Sequence, residues 1–167
     1  MKVFKEEQLF RQTWLIALLI ISLIAPIIIV TIDYNKEDST MSTNKYVFTI
    51  LFMILILLPI FFFKLKTRID EKGIHYQFFP IHFSFKTIQW NEIEKAHVRN
   101  YDAITEFGGW GFKGGMFWNK KNGKAINVSG DIGIQLKLKT GKKLLIGTQK
   151  KEDASRVLKT YLETINE

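Results

Sequence analysis

Trp14-Leu15-Ile16-Ala17-Leu18-Leu19-Ile20-Ile21-Ser22-Leu23-Ile24-Ala25-Pro26-Ile27-Ile28-Ile29-Val30-Thr31-Ile32 runs for 19 residues without a charge, and thirteen of them are Leu, Ile or Val. A second uncharged run of 18 residues, 46–63, follows a polar loop. At ~1.5 Å per helical residue each run is about 27–28 Å long, which matches a hydrocarbon core of about 30 Å. The aliphatic side chains favour insertion by roughly 0.3–0.6 kcal/mol each and outweigh Pro26 and Ser22. The two runs therefore read as transmembrane helices, 14–32 and 46–63, joined as a hairpin. A helix apolar on every side needs more protein around it than a chain of 167 residues supplies. A cleaved signal peptide is disfavoured by the length of the first run and by Val30-Thr31-Ile32, which lacks the small-x-small cleavage pattern.

Outward from the runs, Lys2, Lys5 and Arg11 precede the first, and Lys64, Lys66 and Arg68 follow the second. The loop between them has only Lys36 and Lys45, against Asp33, Glu37 and Asp38. Basic residues favour the cytoplasmic side, so the expectation is a multi-pass protein of the inner, cytoplasmic membrane with both termini inside. Residues 1–13 read as a cytoplasmic tail, 14–63 as the hairpin and 64–167 as a cytoplasmic domain. Trp14, Tyr34 and Tyr46 fall at helix ends, where aromatic rings anchor at the interface. Pro26 removes one backbone bond and is compatible with a local kink, but the favoured reading is a tolerated membrane proline with no role.

Of the 24 Lys and Arg, 19 lie in 64–167, against 11 of the 16 Asp and Glu, so the excess of +8 belongs to that domain. A basic soluble domain would ordinarily suggest nucleic acid. Beside a membrane anchor the nearer polyanion is the lipid head-group layer, so a nucleic-acid partner is not expected. The absence of cysteine excludes disulfides, thiolate chemistry and Cys-ligated metals.

Beyond Lys64 the pattern changes to period two. Lys64-Leu65-Lys66-Thr67-Arg68-Ile69 alternates, Glu71-Lys72-Gly73 is a turn signal, and 74–79 reads as the returning strand. Ile81, Phe83 and Phe85 alternate with His82, Ser84 and Lys86 and predict a third strand, and 94–101 a fourth. A glycine- and aromatic-rich stretch, 106–118, precedes a strand at 124–128. Ile132, Ile134, Leu136 and Leu138 then alternate with polar residues, and Thr140-Gly141 turns the chain into 142–147. Ala154, Val157, Leu158, Tyr161, Leu162 and Ile165 fall on one face of an amphipathic helix. The expected fold is a membrane hairpin followed by a mainly-β domain of about seven antiparallel strands in two sheets, closed by one C-terminal helix.

That order, with Ile88-Gln89-Trp90-Asn91-Glu92-Ile93 at the third-to-fourth strand junction, Gly108-Gly109-Trp110-Gly111, Asn127-Val128-Ser129-Gly130 and Leu145-Ile146-Gly147-Thr148, resembles the pleckstrin-homology fold. More narrowly, it resembles bacterial PH-like domains attached to a pair of transmembrane helices, over roughly 64–164. The resemblance implies two sheets plugged by a helix and a binding role, and it names no substrate. Phosphoinositide-binding members carry a basic first loop, whereas here that loop is Asp70-Glu71-Lys72-Gly73, so inositide recognition at that place does not carry over.

No constellation of the sequence points to catalysis, a cofactor or a small-molecule substrate. Gly109-Trp110-Gly111-Phe112-Lys113-Gly114 matches G-x-G-x-x-G, but no helix follows it as a dinucleotide site requires. His75, His82 and His97 are scattered, and a metal site needs three or four convergent ligands. Asp102, Glu106, Glu92 and Glu94 have no nucleophile or histidine paired with them in sequence. Two groups remain as candidate interaction or membrane-surface residues. One is Trp110, Phe112, Phe117 and Trp118, which either pack between the sheets or meet the interface. The other is Lys137, Lys139, Lys142 and Lys143 about one hairpin, which are a solvated face or an attraction to an anionic leaflet. Chain direction adds an expectation: if the first strand leaves the bilayer, the Asp70-Glu71 turn points away from lipid. The Phe79-Pro80-Ile81 turn and the segment after Tyr101 would then lie near it. The function expected is a membrane-anchored module presenting a surface to a protein partner or a second copy. The alternative is sensing of anionic lipid by the basic faces and the aromatic loop.

Overall fold

The computed structural model describes residues 2–113 and 122–166. They form two compact units: 10–62, and a β unit made of 1–9 together with 63–167. In the first, α1 (Thr13–Tyr34) and α2 (Thr43–Leu57) are joined by a polar loop, and α2 continues as a 3-10 turn, Leu58–Phe62. The change of helix type falls where Pro59 lacks an N–H and crowds Leu58. α1 runs through Pro26 without interruption. At the loop end the helices are tied by stacked Tyr34 and Tyr46, 4.4 Å apart, and by hydroxyl pairs Thr31–Tyr46 at 3.1 Å and Tyr34–Thr43 at 3.0 Å. Ser42 caps α2 by accepting from the Lys45 amide. Both helical stretches are long and apolar enough to span a membrane. Their side chains face outward, as with Ile21 at 66% and Phe48 at 70% exposure, so neither helix is buried among the described residues of the chain.

The β unit departs from the expected layout at its first element. The segment 1–13, read as a tail, contains a strand, β1 (Phe4–Leu9), that pairs antiparallel with β2 (Lys64–Asp70). Leu9 faces Lys64 in the register, so the whole apolar hairpin is inserted into the β1–β2 connection. β2 pairs with β3 (Gly73–Phe79), and β3 with β4 (Lys86–Gln89), giving the order β1-β2-β3-β4. The alternating residues 81–85 form a connection and not the strand expected. Phe83 has no layer to face at 82% exposure, and the Gln77 amide holds the Phe83 carbonyl at 2.8 Å.

The second sheet contains β5 (Ile93–Asn100), β6 (Gly111–Lys113), β7 (Lys124–Asn127), β8 (Ile132–Leu138) and β9 (Lys143–Gly147), in the order β5-β8-β9-β7-β6. The described residues thus hold nine strands, against about seven expected. One pair, β7 with β9, is parallel in a unit expected to be antiparallel throughout. It arises because β8 leaves β7 to pair with β5 and β9, and β9 then fills the place beside β7. Gly147 permits this crossing, since a Cβ there would lie 2.9 Å from the Asn127 Cβ. A short helix, α3 (Ala103–Phe107), follows β5. Asp102 caps it, accepting from the Ile104 and Thr105 amides, and Gly108 ends it at φ 74°.

Between the sheets lie Phe4, Leu65, Ile69, Ile74, Phe78, Ile126, Ile134, Leu136 and Ile146, each 3% exposed or less. The C-terminal helix, α4 (Lys151–Asn166), buries Ala154, Val157 and Leu158 of its apolar stripe. Tyr161 stacks on Trp90 at 5.3 Å, while the Trp90 indole donates to the Asp70 carbonyl. β1 is locked from the far end of the chain as well. Glu6 accepts from the Thr148 hydroxyl at 2.6 Å and the Gln149 amide at 2.7 Å, and the Gln8 amide donates to the Gly147 carbonyl.

Candidate functional site

The β8–β9 turn, the start of β7 and the inner side of β3 and β4 border a cleft of about 650 Å³. Its apolar lining comes from Tyr76, Ile88, Leu138 and Leu144, and its charged lining among the described residues is Lys124, Lys142 and Lys143, all of one sign. A second depression of about 710 Å³ runs along β1, but there Glu6 and Glu7 oppose Lys5, Lys66, Arg68 and Lys150. The first has the simpler electrostatics and can receive a group that is apolar with an anionic end.

Local structure explains why the lysines meet there. Leu138 N donates to the Lys142 carbonyl and Gly141 N to the Leu138 carbonyl, closing the β8–β9 turn. Gly123 brings the start of β7 against β9 so closely that a Cβ would lie 2.4 Å from the Lys143 carbonyl oxygen. Of the four lysines singled out in the sequence, Lys142 and Lys143 line the cleft, while Lys137 and Lys139 do not. Lys137 pairs with Glu94 across the β5–β8 ladder, and the Lys139 amide donates to the Glu92 carbonyl. Tyr76, Ile88 and Lys124 were missed as site residues. Lys124 follows the Asn122-Gly123 turn and could have been suspected; the other two read only as strand residues.

The aromatic residues occupy two places. Trp110 packs against the cluster of Tyr101, Ala103, Phe107, Ala125 and Leu145, and its indole donates to the Gly130 carbonyl at 3.1 Å. Phe112 lies 6.4 Å from the Phe78 ring and 5.4 Å from His82, which meets Tyr76 edge-on at 5.7 Å. A row of rings thus runs from Phe112 through His82 to the tyrosine that lines the cleft. Burial, then Lys86 and Lys124, push the His82 imidazole below its ordinary value, and burial pushes the Tyr76 phenol up. Phe117 and Trp118 lie outside the described residues.

One other constellation has a catalytic outline. On the outer face of β2, β3 and β4, the Asp70 carboxylate is 2.9 Å from His75 Nε2, and His75 Nδ1 is 2.8 Å from the Thr87 hydroxyl. Arg68 Nε also lies 2.8 Å from Asp70. Burial raises the Asp70 carboxyl, but bonds from His75 and the Lys72 amide, with the His75 and Arg68 charges, outweigh it and hold it low. Arg68, His75 and Thr87 are successive register partners, so the row ties β2, β3 and β4 together side to side. It is a cross-strand clamp. Among the described residues, no group of three or more His, Asp or Glu comes together to hold a metal. Comparison of the chain with protein-family models gives no match, and comparison with curated proteins gives none either.

Proposed function

We propose that the chain is a non-enzymatic, membrane-anchored binding module of bacterial PH-like type, whose β unit presents a protein-interaction surface at the inner face of the membrane. The observation that carries this reading is the lysine-rimmed cleft with its apolar lining, which suits a partner segment bearing an acidic group beside apolar side chains. The two outward-facing apolar helices supply the anchor. The Leu9–Lys64 pairing supports a common side for the two ends of the hairpin, because one sheet contains both junctions. The basic residues flanking the hairpin favour the cytoplasm for that side. Two sheets and a closing helix are in keeping with a PH-like fold; the strand before the hairpin and the parallel pair are departures from the expected pattern.

A photo-crosslinking residue at Thr140, exposed on the turn beside the cleft, tests the reading in native membranes. The expected result is a discrete protein adduct that disappears when Lys124 and Lys142 are both changed to Glu. Adducts to lipid alone, with liposome binding lost at high salt, would replace the protein-partner reading by the lipid-sensing one.

A further inference from the structure

The end of the four-stranded sheet at which the hairpin is inserted carries an exposed apolar loop. Lys64 pairs with Leu9 on one side and with Phe79 on the other. Neighbouring strands are ~4.8 Å apart, so Phe79 is about 5 Å from one hairpin junction and about 10 Å from the other. The second apolar helical stretch ends at Phe62, two residues before Lys64, or at most about 7 Å of chain. Covalent connection therefore keeps this strand end within reach of whatever medium surrounds Phe62.

Phe79 and the β3–β4 connection 80–85 place four large apolar side chains in seven residues. Phe79 is 36% exposed, Ile81 49%, Phe83 82% and Phe85 47%. The loop is fixed in this presentation. The Gln77 amide donates to the Phe83 carbonyl, the His82 amide donates to the Phe78 carbonyl at 2.8 Å, and the Phe79 and Phe83 rings meet edge to face at 5.8 Å. Lys64 and Lys66 project beside it from β2, each within ion-pair reach of Glu7, and Lys86 begins β4 immediately after Phe85. Exposed rings rimmed by long basic side chains suit a head-group boundary, where the rings enter and the ammonium groups stay wet. The opposite end of the same strands is the acidic Asp70-Glu71 turn, about 20 Å away at ~3.3 Å per residue. The sheet is polar along its length: apolar where the hairpin joins, acidic at the far end.

We infer that the Phe79–Phe85 connection is a membrane foot, with Ile81 and Phe83 seated at the head-group and acyl boundary of the bilayer that holds the hairpin. The inference rests on the hairpin being membrane-spanning. The foot gives the β unit a second point of attachment and a preferred orientation on the lipid surface.

The chain has no cysteine, so single replacements report cleanly. Phe83→Cys, Ile81→Cys, Glu71→Cys and Leu51→Cys would each be labelled with an environment-sensitive fluorophore in the full chain. Each would then be reconstituted in phosphatidylcholine–phosphatidylglycerol vesicles carrying nitroxides at shallow or deep acyl positions. Leu51 lies in α2 and reports on the span itself; all four positions are exposed, so the label is tolerated. Expected are quenching of the Leu51 label by deep nitroxides, quenching of the Phe83 and Ile81 labels by shallow ones, and no quenching at Glu71. A quenched Leu51 label with unquenched Phe83 and Ile81 labels overturns the foot while leaving the anchor standing. A blue shift of those unquenched labels would then point to a second copy covering the loop. An unquenched Leu51 label removes the anchor and the foot together.

Discussion

At Gly73 the backbone has φ 146°, and a Cβ would lie 2.1 Å from the Ile88 carbonyl oxygen. The β2–β3 turn and the β4 edge both need this position to be glycine. Gly73→Ala combines backbone strain with a collision against main chain, which cannot swing aside, and is expected to cost about 3 kcal/mol. Gly141→Ala, at φ 79° in open space, should cost about 1 kcal/mol. Urea titration of the full chain in detergent, followed by tryptophan fluorescence, measures both, and equal losses would show that Gly73 is not sterically enclosed. Acid acts on other residues in two stages. His82 and His97 are pushed down by burial first, then by Lys86 and Lys124 and by Lys95 and Arg99 respectively. Below about pH 6.5 the unfolded chain takes up protons that the folded one resists, so stability should already decline there. Asp70 and Glu106 are held low in the folded state, Glu106 chiefly by its bonds from Arg99 at 2.6 and 3.0 Å. Their contribution is present above the unfolded carboxylate range and lost as pH falls from about 4.5 through the folded values. The same urea titration repeated from pH 7.5 to 3.5 checks this; a flat profile between 7 and 5 would contradict the histidine stage.

Among the elements, β1 is the one whose role is least visible in sequence. Its inward positions are Phe4, Glu6 and Gln8, and only the first is apolar, so the alternation that marks a half-buried strand is missing. Gly147, Thr148 and Gln149 supply partners for the Glu6 carboxylate and the Gln8 side-chain N–H, a match no local pattern reveals. Phe4→Ala should cost about 3–4 kcal/mol in the same urea assay, as for a core aromatic, whereas a loose tail would make it neutral. Where burial follows period, the sequence was a good guide. Ile134 and Leu136 of β8 and Ala154, Val157 and Leu158 of α4 are buried as their spacing predicts. The alternation at 81–85 misled because its apolar members face outward, and the parallel β7–β9 pair depends on a crossing far apart in sequence. The site was half legible for a related reason. A basic hairpin can be read along the chain, but the ring and aliphatic residues that turn it into a cleft come from β3 and β4.

For the whole molecule, the decisive relation is that the two apolar helices interrupt a β unit instead of preceding one. An impermeant thiol reagent on intact cells should label Thr40→Cys, between the helices, and leave Lys159→Cys on α4 unlabelled until the cells are opened. Labelling of Lys159→Cys from outside would reverse the proposed orientation. The central claim, that β1 and 63–167 are one folding unit divided by the hairpin, has a more direct test. Leu9 and Lys64 are register partners, so a two-residue Asn-Gly turn can join them with the hairpin removed. Urea unfolding of this joined chain in plain buffer is compared with that of 64–167 alone. The expected result is a soluble, cooperatively unfolding joined chain, more stable than 64–167 by about 3 kcal/mol or more, since β1 brings the buried Phe4 and a core aromatic alone is on that scale. Equal stability and cooperativity in 64–167 alone would contradict it, because β1 would then be dispensable to the fold.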